Sequence, residues 1–253
     1  MLANNRVLEM DKVVLIQCPP KYAEIIPIFC NECLKHDIFD KIYIATNASI
    51  TTNLDKKCHI IKLKTDEQFS SNILNALPYV EEDILLLCCE DHIMIDKHCK
   101  KDFEDAFNFI LNDENVGSVR LTYNDKIKFL NKKDNRFITK LHDSYGYLVS
   151  LQPCWWRKSC LKSVLKKGED AWDAETKGSK RARSEKFQKY CVNRTVFFAT
   201  NFYKNGKYLR HYFVDYAKNN NINIENQMDV FVKTKFDDGR PTIKKIVPYQ
   251  TML

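Results

Sequence analysis

The feature that most constrains this fold is an uninterrupted apolar run that ends abruptly in charge. Residues 84–89 read ILLLCC, and Glu90, Asp91 and His92 follow directly. Six apolar residues are too few to cross a bilayer and are typical of a buried β-strand. In an open α/β sheet, ligands bind just beyond the carboxyl ends of the strands. The junction therefore predicts a buried strand with a polar site at its carboxyl end.

Short apolar runs and amphipathic segments alternate through the first half of the chain. The apolar runs predict strands at 12–17, 41–46, 58–63, 83–89 and 117–121. Apolar residues at helical spacing predict a helix around Phe29 to Leu34 and further helices at 69–77 and 96–112. Strands that alternate with helices indicate an α/β fold with a mostly parallel central sheet flanked by helices.

The second half of the chain has a more mixed pattern. An apolar run at 147–151, closed by Gln152 and Pro153, predicts another strand. A helix is predicted at 159–166, where apolar residues recur at helical spacing. We therefore expect the parallel first half to be followed by a smaller, mixed portion of the same sheet.

The tail differs in composition from the rest of the chain. We predict one Rossmann-like domain at 1–218 and a polar C-terminal extension at 219–253. Asp238 and Gly239 predict a hairpin turn within the extension. We expect the extension to pack on the domain or to bind a partner.

Composition narrows the class of protein. Of 253 residues, 44% are hydrophobic, as in a globular protein. The 6 glycines form neither G-x-G-x-x-G nor a P-loop motif. The formal charge of +7 suits an anionic ligand such as a nucleotide. No stretch has transmembrane length, and residues 1–11 lack the apolar core of a secretion signal, so we expect a cytoplasmic protein.

The acids after the apolar run form the first candidate site. Carboxylates at a strand end can hold a divalent cation, which can neutralise the phosphates of a nucleotide. Asp91 is the first candidate ligand, Glu90 is a second ligand or a ribose contact, and His211 is a further ligand for metal or phosphate. The alternative is that the two acids cap the loop while His92 packs on Ile93.

A second candidate segment, 147–183, combines aromatic, acidic and basic residues. It contains all three tryptophans, Trp155, Trp156 and Trp172. An exposed tryptophan can stack on a sugar ring or a base, whereas a buried one packs in the core. The carboxylates Asp170, Asp173 and Glu175 lie near a predicted helix start, where the helix dipole favours acids. A carboxylate there can also deprotonate a hydroxyl nucleophile.

Taken together, these segments resemble GT-A-type glycosyltransferases, in particular small viral and bacterial enzymes of that class. The first strand, the Pro-Lys-Tyr loop and the KIYIATN strand resemble the nucleotide-binding start of these enzymes. Residues 68–77 and 84–91 resemble the helix and strand that lead to their acidic motif. Their acceptor-side signature resembles residues 149–157 and 161–165, the pair Gly168-Glu169, and Trp172-x-x-Glu175. The resemblance covers 12–215.

The resemblance implies sugar transfer from a nucleotide-sugar, UDP-linked by family prevalence, to a hydroxyl of a glycan, protein or lipid-linked acceptor. It implies Mn²⁺ or Mg²⁺, although the motif here is Glu-Asp-His rather than Asp-x-Asp. Asp170, Asp173 and Glu175 are rival bases for a direct, inverting displacement. The nucleotide-sugar contacts implied are Cys18, Tyr22, Thr46, Asn47, Ser70, Glu90, Gln152, Trp155 and Arg157. The Lys- and Asn-rich composition suggests an AT-rich genome, viral or parasitic, and a viral source would imply a location in the host cytoplasm.

Three other functions stay open. A nucleotidyltransferase also uses an α/β sheet and acidic metal ligands, but normally has a Gly-rich basic loop where this chain has Cys18-Pro19-Pro20-Lys21. A nucleic-acid-binding module is suggested by the charge of +7 and by the basic residues at 180–183. The aromatics fall in core-like patterns, so we expect no nucleic-acid partner. The third alternative is a catalytically degenerate transferase that binds sugar or nucleotide without turnover.

Overall fold

A computed structural model describes residues 10–197, apart from 24, 51, 95–99, 125 and 132–135, and the backbone of five strands between 199 and 248. The helices are α1 (Ile25–His36), α2 (Phe69–Ala76), α3 (Lys100–Asn112), α4 (Lys158–Val164) and α5 (Ala171–Ala182). The first nine strands are β1 (Val13–Gln17), β2 (Lys41–Thr46), β3 (Cys58–Lys62), β4 (Ile84–Cys89), β5 (His92–Met94), β6 (Val116–Arg120), β7 (Ile138–Lys140), β8 (Cys154–Arg157) and β9 (Gln188–Val192). The remaining strands are β10 (Ala199–Asn201), β11 (Tyr203–Lys204), β12 (Lys207–Tyr208), β13 (Asp229–Asp237) and β14 (Arg240–Pro248).

Eight of these strands form one sheet in the order β3-β2-β1-β4-β8-β6-β9-β7. β1 pairs in parallel with β2 and β4, and β2 pairs in parallel with β3. β8 runs antiparallel to β4 and β6, β6 and β9 are parallel, and β7 runs antiparallel to β9. The predicted α/β fold, with a parallel first half and a mixed second half, is confirmed.

The strands β1 and β4, in the middle of the sheet, are almost entirely apolar because both of their faces are covered. Every residue of β1 is buried, as is every residue of β4 before Cys89. Strands buried on both faces read as continuous apolar runs rather than as alternating patterns. The apolar runs in the sequence therefore located these strands to within one or two residues.

The core of the mixed half is built around Trp155 in β8. The side chain is completely buried. Its ring lies 5.1 Å from the ring of Phe103 and 4.9 Å from that of Phe107, measured between centroids. These two phenylalanines lie one turn apart on the buried stripe of α3. The aromatic cluster thereby packs α3 against β8.

The strand predicted at 147–151 is wrong, because this segment forms turns and bends and the strand begins only at Cys154. The N–H of Val149 donates to Ser179 Oγ at 3.0 Å, and that of Leu151 donates to a carboxylate oxygen of Glu175 at 2.8 Å. Backbone donors that are bonded to side chains of α5 are not available for a strand ladder.

The chain divides into two compact units. The larger unit, residues 1–90 and 94–198, contains the eight-stranded sheet and the helices named above. The smaller unit comprises residues 91–93 and 199–253. Among the helices that the structure describes, none is both long and apolar enough to cross a membrane.

The predicted hairpin in the tail is confirmed by the pairing of β13 with β14. The two strands are antiparallel, and Asp237 lies opposite Arg240 on either side of the predicted turn. The predicted boundary between the domain at 1–218 and the extension at 219–253 lies among residues that the structure does not describe. Those two ranges stay a prediction.

We expect Gly117→Ala to destabilise the protein because β6 has no room for a Cβ atom. The added carbon would lie 2.5 Å from Cys160 Sγ and 2.6 Å from Phe187 Cβ. Overpacking of this kind typically lowers the free energy of unfolding by about 2 kcal/mol. Urea denaturation measures the change.

The matched control is Gly146→Ala, because a Cβ at Gly146 meets no atom within 4 Å. We expect that substitution to change the free energy of unfolding by less than about 0.5 kcal/mol. Equal effects of the two substitutions would contradict the packing of β6 described above.

Candidate functional site

The carboxyl ends of the parallel strands lie together at one edge of the sheet, which we call the carboxyl edge. Cys18 follows β1, Asn47 follows β2, and Glu90 follows β4. β8 runs in the opposite direction, with Cys154 opposite Leu87 near the end of β4. The loop that precedes β8 therefore reaches the same edge, which is where ligands bind in open α/β sheets.

The loop after β1 is shaped by Cys18. The buried thiol donates to the carbonyl oxygen of Tyr22 at 3.3 Å. The N–H of Cys18 donates to Ala45 O at 3.0 Å, which ties the loop to β2. The half-buried ring of Tyr22 lies beneath the ammonium of Lys21, with 4.7 Å from Nζ to the ring centroid. Cys18 thus supports the loop from inside, and Tyr22 keeps part of its ring accessible.

The turn after β2 carries a polar atom without a partner. Thr46 is buried, and its Oγ1 accepts the N–H of Ala48 at 3.1 Å. The Oδ1 atom of Asn47 is shielded from solvent and has no hydrogen-bond partner among the described residues. A buried, unbonded acceptor costs about 1–3 kcal/mol. A ligand hydroxyl or N–H group that bonded Asn47 would remove this cost.

Ser70 joins α2 to the segment before α5. Its N–H donates to Glu169 O at 3.0 Å, and the N–H of Gly168 donates to Ser71 Oγ at 2.9 Å. Ser70 is completely buried, and its Oγ has no partner within the described ranges. Because the side chain of Ser70 is buried, its predicted contact with a ligand would require α2 or the segment before α5 to move.

Possible metal ligands cluster directly after β4. One ligand atom each from Cys89, Asp91 and His92 lies within 4.8 Å of the other two. The three residues occupy four consecutive positions, so the local backbone sets this arrangement. The structure places the predicted ligand Asp91 in the cluster and Glu90 outside it. His211, the other predicted ligand, lies outside the described residues.

The donor set of this cluster fits some cations better than others. A cysteine sulfur, an imidazole nitrogen and a carboxylate oxygen together suit a first-row transition ion, whereas Mg²⁺ prefers oxygen ligands only. His92 is buried, and Asp91 is half-buried. Cys89 and His92 were not among the predicted ligands. Their position at the end of the apolar run was the signal that could have identified them.

Glu175 is the acidic side chain that the structure connects to the carboxyl edge. Its Oε1 accepts the N–H of Leu151 at 2.8 Å and the hydroxyl of Ser150 at 3.3 Å. Leu151 O in turn accepts a weak hydrogen bond from Cys89 Sγ at 3.9 Å. The second oxygen, Oε2, makes no hydrogen bond to the described residues. Glu175 is therefore oriented by one oxygen and can accept a proton on the other.

The other two predicted bases serve α5 itself. The carboxylate of Asp170 caps the helix by accepting the N–H of Asp173 at 2.7 Å. The carboxylate of Asp173 pairs with Lys177, one turn further on, at 2.8 Å. Both interactions are local to the start of the helix. Of the three candidates, only Glu175 bonds to the loop at the carboxyl edge.

Two predicted ligand contacts lie elsewhere and are corrected here. Trp155 is buried in the core beneath α3 and has no exposed surface. Arg157 lies opposite Ile84, the first residue of β4, and hence at the amino edge of the sheet. Its guanidinium donates to Ile110 O at 2.6 Å and secures the end of α3. The antiparallel direction of β8 explains the position of Arg157, and the packing of α3 on the sheet explains the burial of Trp155. Gln152, in contrast, is exposed in the loop at the carboxyl edge.

Arg120 is a residue at this edge that the sequence patterns did not single out. It ends β6 and is buried. Its Nη2 donates to Tyr147 O at 2.6 Å, and its Nη1 donates to the hydroxyl of Tyr145 at 3.3 Å. Arg120 thus fixes the start of the loop before β8. The available signal was a charged residue, Arg120, near the end of the strand predicted at 117–121.

The two thiols beside Arg120 in the sheet stay protonated. Cys154 and Cys191 lie opposite Arg120 on its two neighbouring strands. Burial raises the pKa of Cys191 to about 12 and raises that of Cys154 well above its ordinary value. A neutral thiol is a poor nucleophile, so neither residue can serve as a nucleophile at neutral pH.

Comparisons with known proteins identify the class of fold. No protein-family model and no curated protein matches the chain. It is similar to the solved mannosyltransferase PcManGT from Pyrobaculum calidifontis in complex with GDP-Man and Mn²⁺, with a TM-score of 0.52 and 12% identity over 79% of this chain and 59% of that one. A weaker likeness is to S. aureus TarS, with a TM-score of 0.48 and 14% identity over 74% of this chain and 37% of that one. Another is to UDP-glucose pyrophosphorylase complexed with UDP-glucose, with a TM-score of 0.46 and 9% identity over 76% of this chain and 92% of that one.

The likeness to the mannosyltransferase shows the fold and nothing finer. This chain spans 59% of that protein's length. The order and direction of the strands agree with a GT-A-like, Rossmann-type α/β domain. This is the fold that the sequence resemblance implied.

We expect Asp170→Ala to lower the free energy of unfolding by about 1 kcal/mol, because it removes the cap of α5. Asp170→Ser keeps a hydroxyl acceptor for the N–H of Asp173 and should retain most of the stability. Urea denaturation of both variants measures the difference. A cap that contributes nothing would leave Asp170→Ala as stable as the unsubstituted protein.

Proposed function

We propose that this protein is a glycosyltransferase that moves a sugar from a nucleotide-sugar donor to an acceptor hydroxyl. The observation that carries the proposal is Glu175, which the N–H of Leu151 holds at the carboxyl edge with one carboxylate oxygen available. A hydroxyl acceptor needs a base as its new C–O bond forms. The fold agrees with the proposal, since the mannosyltransferase that it resembles is in complex with GDP-Man and Mn²⁺.

In this proposal, the nucleotide lies across the loops after β1 and β2. Tyr22, Asn47 and Gln152 contact it, while the buried side chains of Cys18 and Thr46 shape the loops. The unbonded Oδ1 of Asn47 supports this position, because a ribose hydroxyl or a base N–H group would satisfy it. UDP is the first nucleotide to test.

The proposed metal site is formed by Asp91 and His92, and the ion is Mn²⁺ rather than Mg²⁺. The imidazole nitrogen of His92 and the nearby thiol of Cys89 argue against Mg²⁺, and the Mn²⁺ of the mannosyltransferase complex makes Mn²⁺ the first ion to test. When bound, the ion would neutralise the charge that develops on the departing diphosphate. Glu90 is kept as a ribose contact, which was its alternative role.

The proposed reaction is a direct displacement with inversion at the anomeric carbon. Oε2 of Glu175 accepts the proton of the acceptor hydroxyl while Oε1 stays bonded to Leu151 and Ser150. The new bond joins the acceptor oxygen to the anomeric carbon. The bond from that carbon to the diphosphate breaks, and its electron pair leaves with the phosphate.

We expect Glu175→Gln to lower kcat by about 100-fold or more, because the amide keeps the bond from Leu151 but cannot accept a proton. The matched control is Asp173→Asn on the same helix, which should change kcat by less than about 3-fold. Release of nucleoside diphosphate from a panel of nucleotide-sugars, with Mn²⁺ and sugar acceptors, measures both. Full activity of Glu175→Gln, or an equal loss in Asp173→Asn, would contradict the assignment. A product with the anomeric configuration of the donor would contradict inversion.

We expect Asp91→Ala and His92→Ala each to weaken Mn²⁺ binding by about 10-fold or more, since each removes one ligand. Glu90→Gln, whose side chain is not part of the cluster, should change the affinity by less than about 3-fold. Titration of free Mn²⁺ by electron paramagnetic resonance measures all three without requiring turnover. If Mn²⁺ affinity fell only in Glu90→Gln, the metal ligand would be Glu90, and the assignment to Asp91 and His92 would be wrong.

A further inference from the structure

Trp172 differs from the other tryptophans of the chain in being largely exposed. Its relative accessibility is 63%, whereas Trp155 and Trp156 are completely buried. It lies in the first turn of α5, three residues before Glu175. Exposed large aromatic residues are costly to hydrate and are enriched at binding surfaces.

Trp172 is the exposed end of a row of aromatic rings. Its ring centroid lies 6.2 Å from that of Tyr147 with an interplanar angle of 68°, and Tyr147 lies 6.3 Å from Tyr145 at 61°. Both contacts are edge-to-face, the favoured geometry for aromatic pairs. We call Tyr145, Tyr147 and Trp172 the aromatic row.

The row is anchored from below by Arg120. This buried guanidinium bonds the hydroxyl of Tyr145 and the carbonyl oxygen of Tyr147, and it also lies 5.6 Å from the Tyr145 ring centroid. A surface that is held in place in this way loses little conformational freedom when it binds a ligand. Arg120 therefore holds Tyr145 and the backbone of Tyr147, while Trp172 is held through its ring contact with Tyr147.

The row adjoins the carboxylate that the proposed mechanism uses. Residues three apart on a helix share a face, with their Cβ atoms about 5–6 Å apart. Trp172 and Glu175 have this spacing on α5. The loop that leads from Tyr147 also supplies Leu151, whose N–H holds the Glu175 carboxylate.

The charges around Trp172 favour a neutral ligand. Asp170 lies two residues before it and Glu175 three residues after it, whereas the carboxylate of Asp173 is paired with Lys177. Acidic side chains beside the ring disfavour nucleotides, nucleic acids and anionic lipids. A sugar ring carries no charge, and its C–H groups pack favourably on an aromatic face.

We propose that the aromatic row binds a neutral pyranose ring of a glycan acceptor, which stacks on Trp172 and presents a hydroxyl to Glu175. This assignment names the acceptor class of the proposed glycosyltransferase and rests on that function. It selects a glycan over the protein and lipid-linked acceptors that the sequence left open.

Tryptophan fluorescence tests the binding step separately. Because the chain has three tryptophans and two are buried, quenching by iodide reports on Trp172. The probes are the methyl pyranosides of glucose, galactose, mannose and N-acetylglucosamine. We expect at least one to protect Trp172 saturably, and Tyr147→Ala to weaken that protection about 10-fold. Tyr79→Ala removes an equally exposed aromatic (65%) and should change nothing.

Kinetics then separate this inference from the proposed function. In Trp172→Ala, the KM for the acceptor should rise about 10-fold, while hydrolysis of the donor by water stays within about 2-fold. If the protein hydrolyses a donor but no pyranoside protects Trp172, the aromatic row does not bind sugar and the proposed glycosyltransferase activity is unaffected. An unchanged KM for the acceptor in Trp172→Ala would lead to the same conclusion. Protection by pyranosides without turnover of any donor would support the row and overturn the transferase. Protection by nucleotide alone would assign the row to the donor and overturn the inference.

Discussion

The hydrogen bond from the N–H of Leu151 to Glu175 organises the carboxyl edge. It joins α5 to the loop before β8, and the parallel bond from Val149 to Ser179 holds the same loop one turn further along the helix. Together they prevent the loop from pairing as a strand and delay the start of β8 until Cys154. The same bond fixes one oxygen of Glu175 and leaves the other available. Structure and proposed chemistry therefore depend on one contact between residues 24 positions apart.

The direction of β8 decides which side chains face the site. Because this strand runs antiparallel to β4, its first residue lies at the carboxyl edge and its last, Arg157, at the amino edge. Trp155 between them becomes the centre of the core beneath α3. Of the aromatic residues in segment 147–183, Tyr147 before the strand and Trp172 on α5 stay accessible to a ligand, and Arg120 bonds the backbone of Tyr147. The three tryptophans of segment 147–183 therefore have different roles, since Trp155 and Trp156 are buried in the core and Trp172 is exposed.

The sequence was informative wherever burial alone dictates the pattern. β1 and β4 are buried on both faces and appear as continuous apolar runs, and the stripe of α3 follows helical spacing. Strand direction has no such signature, so the edge of the sheet on which Arg157 lies could not be predicted. The three carboxylates of 170–175 could be identified as a group, but choosing Glu175 requires knowing its contact with Leu151. The cluster of Asp91 with Cys89 and His92 likewise depends on the turn that the backbone makes after β4.

The measurement that tests the central claim most directly is identification of the nucleotide product. The unsubstituted protein is incubated with nucleotide-sugars and a sugar acceptor in Mn²⁺, and in parallel with nucleoside triphosphates and a sugar 1-phosphate. Chromatography then resolves nucleoside diphosphate from pyrophosphate. A glycosyltransferase releases nucleoside diphosphate in the first mixture and leaves the second unchanged. Pyrophosphate in the second mixture would show nucleotidyl transfer on the same fold and would contradict the role assigned to Glu175.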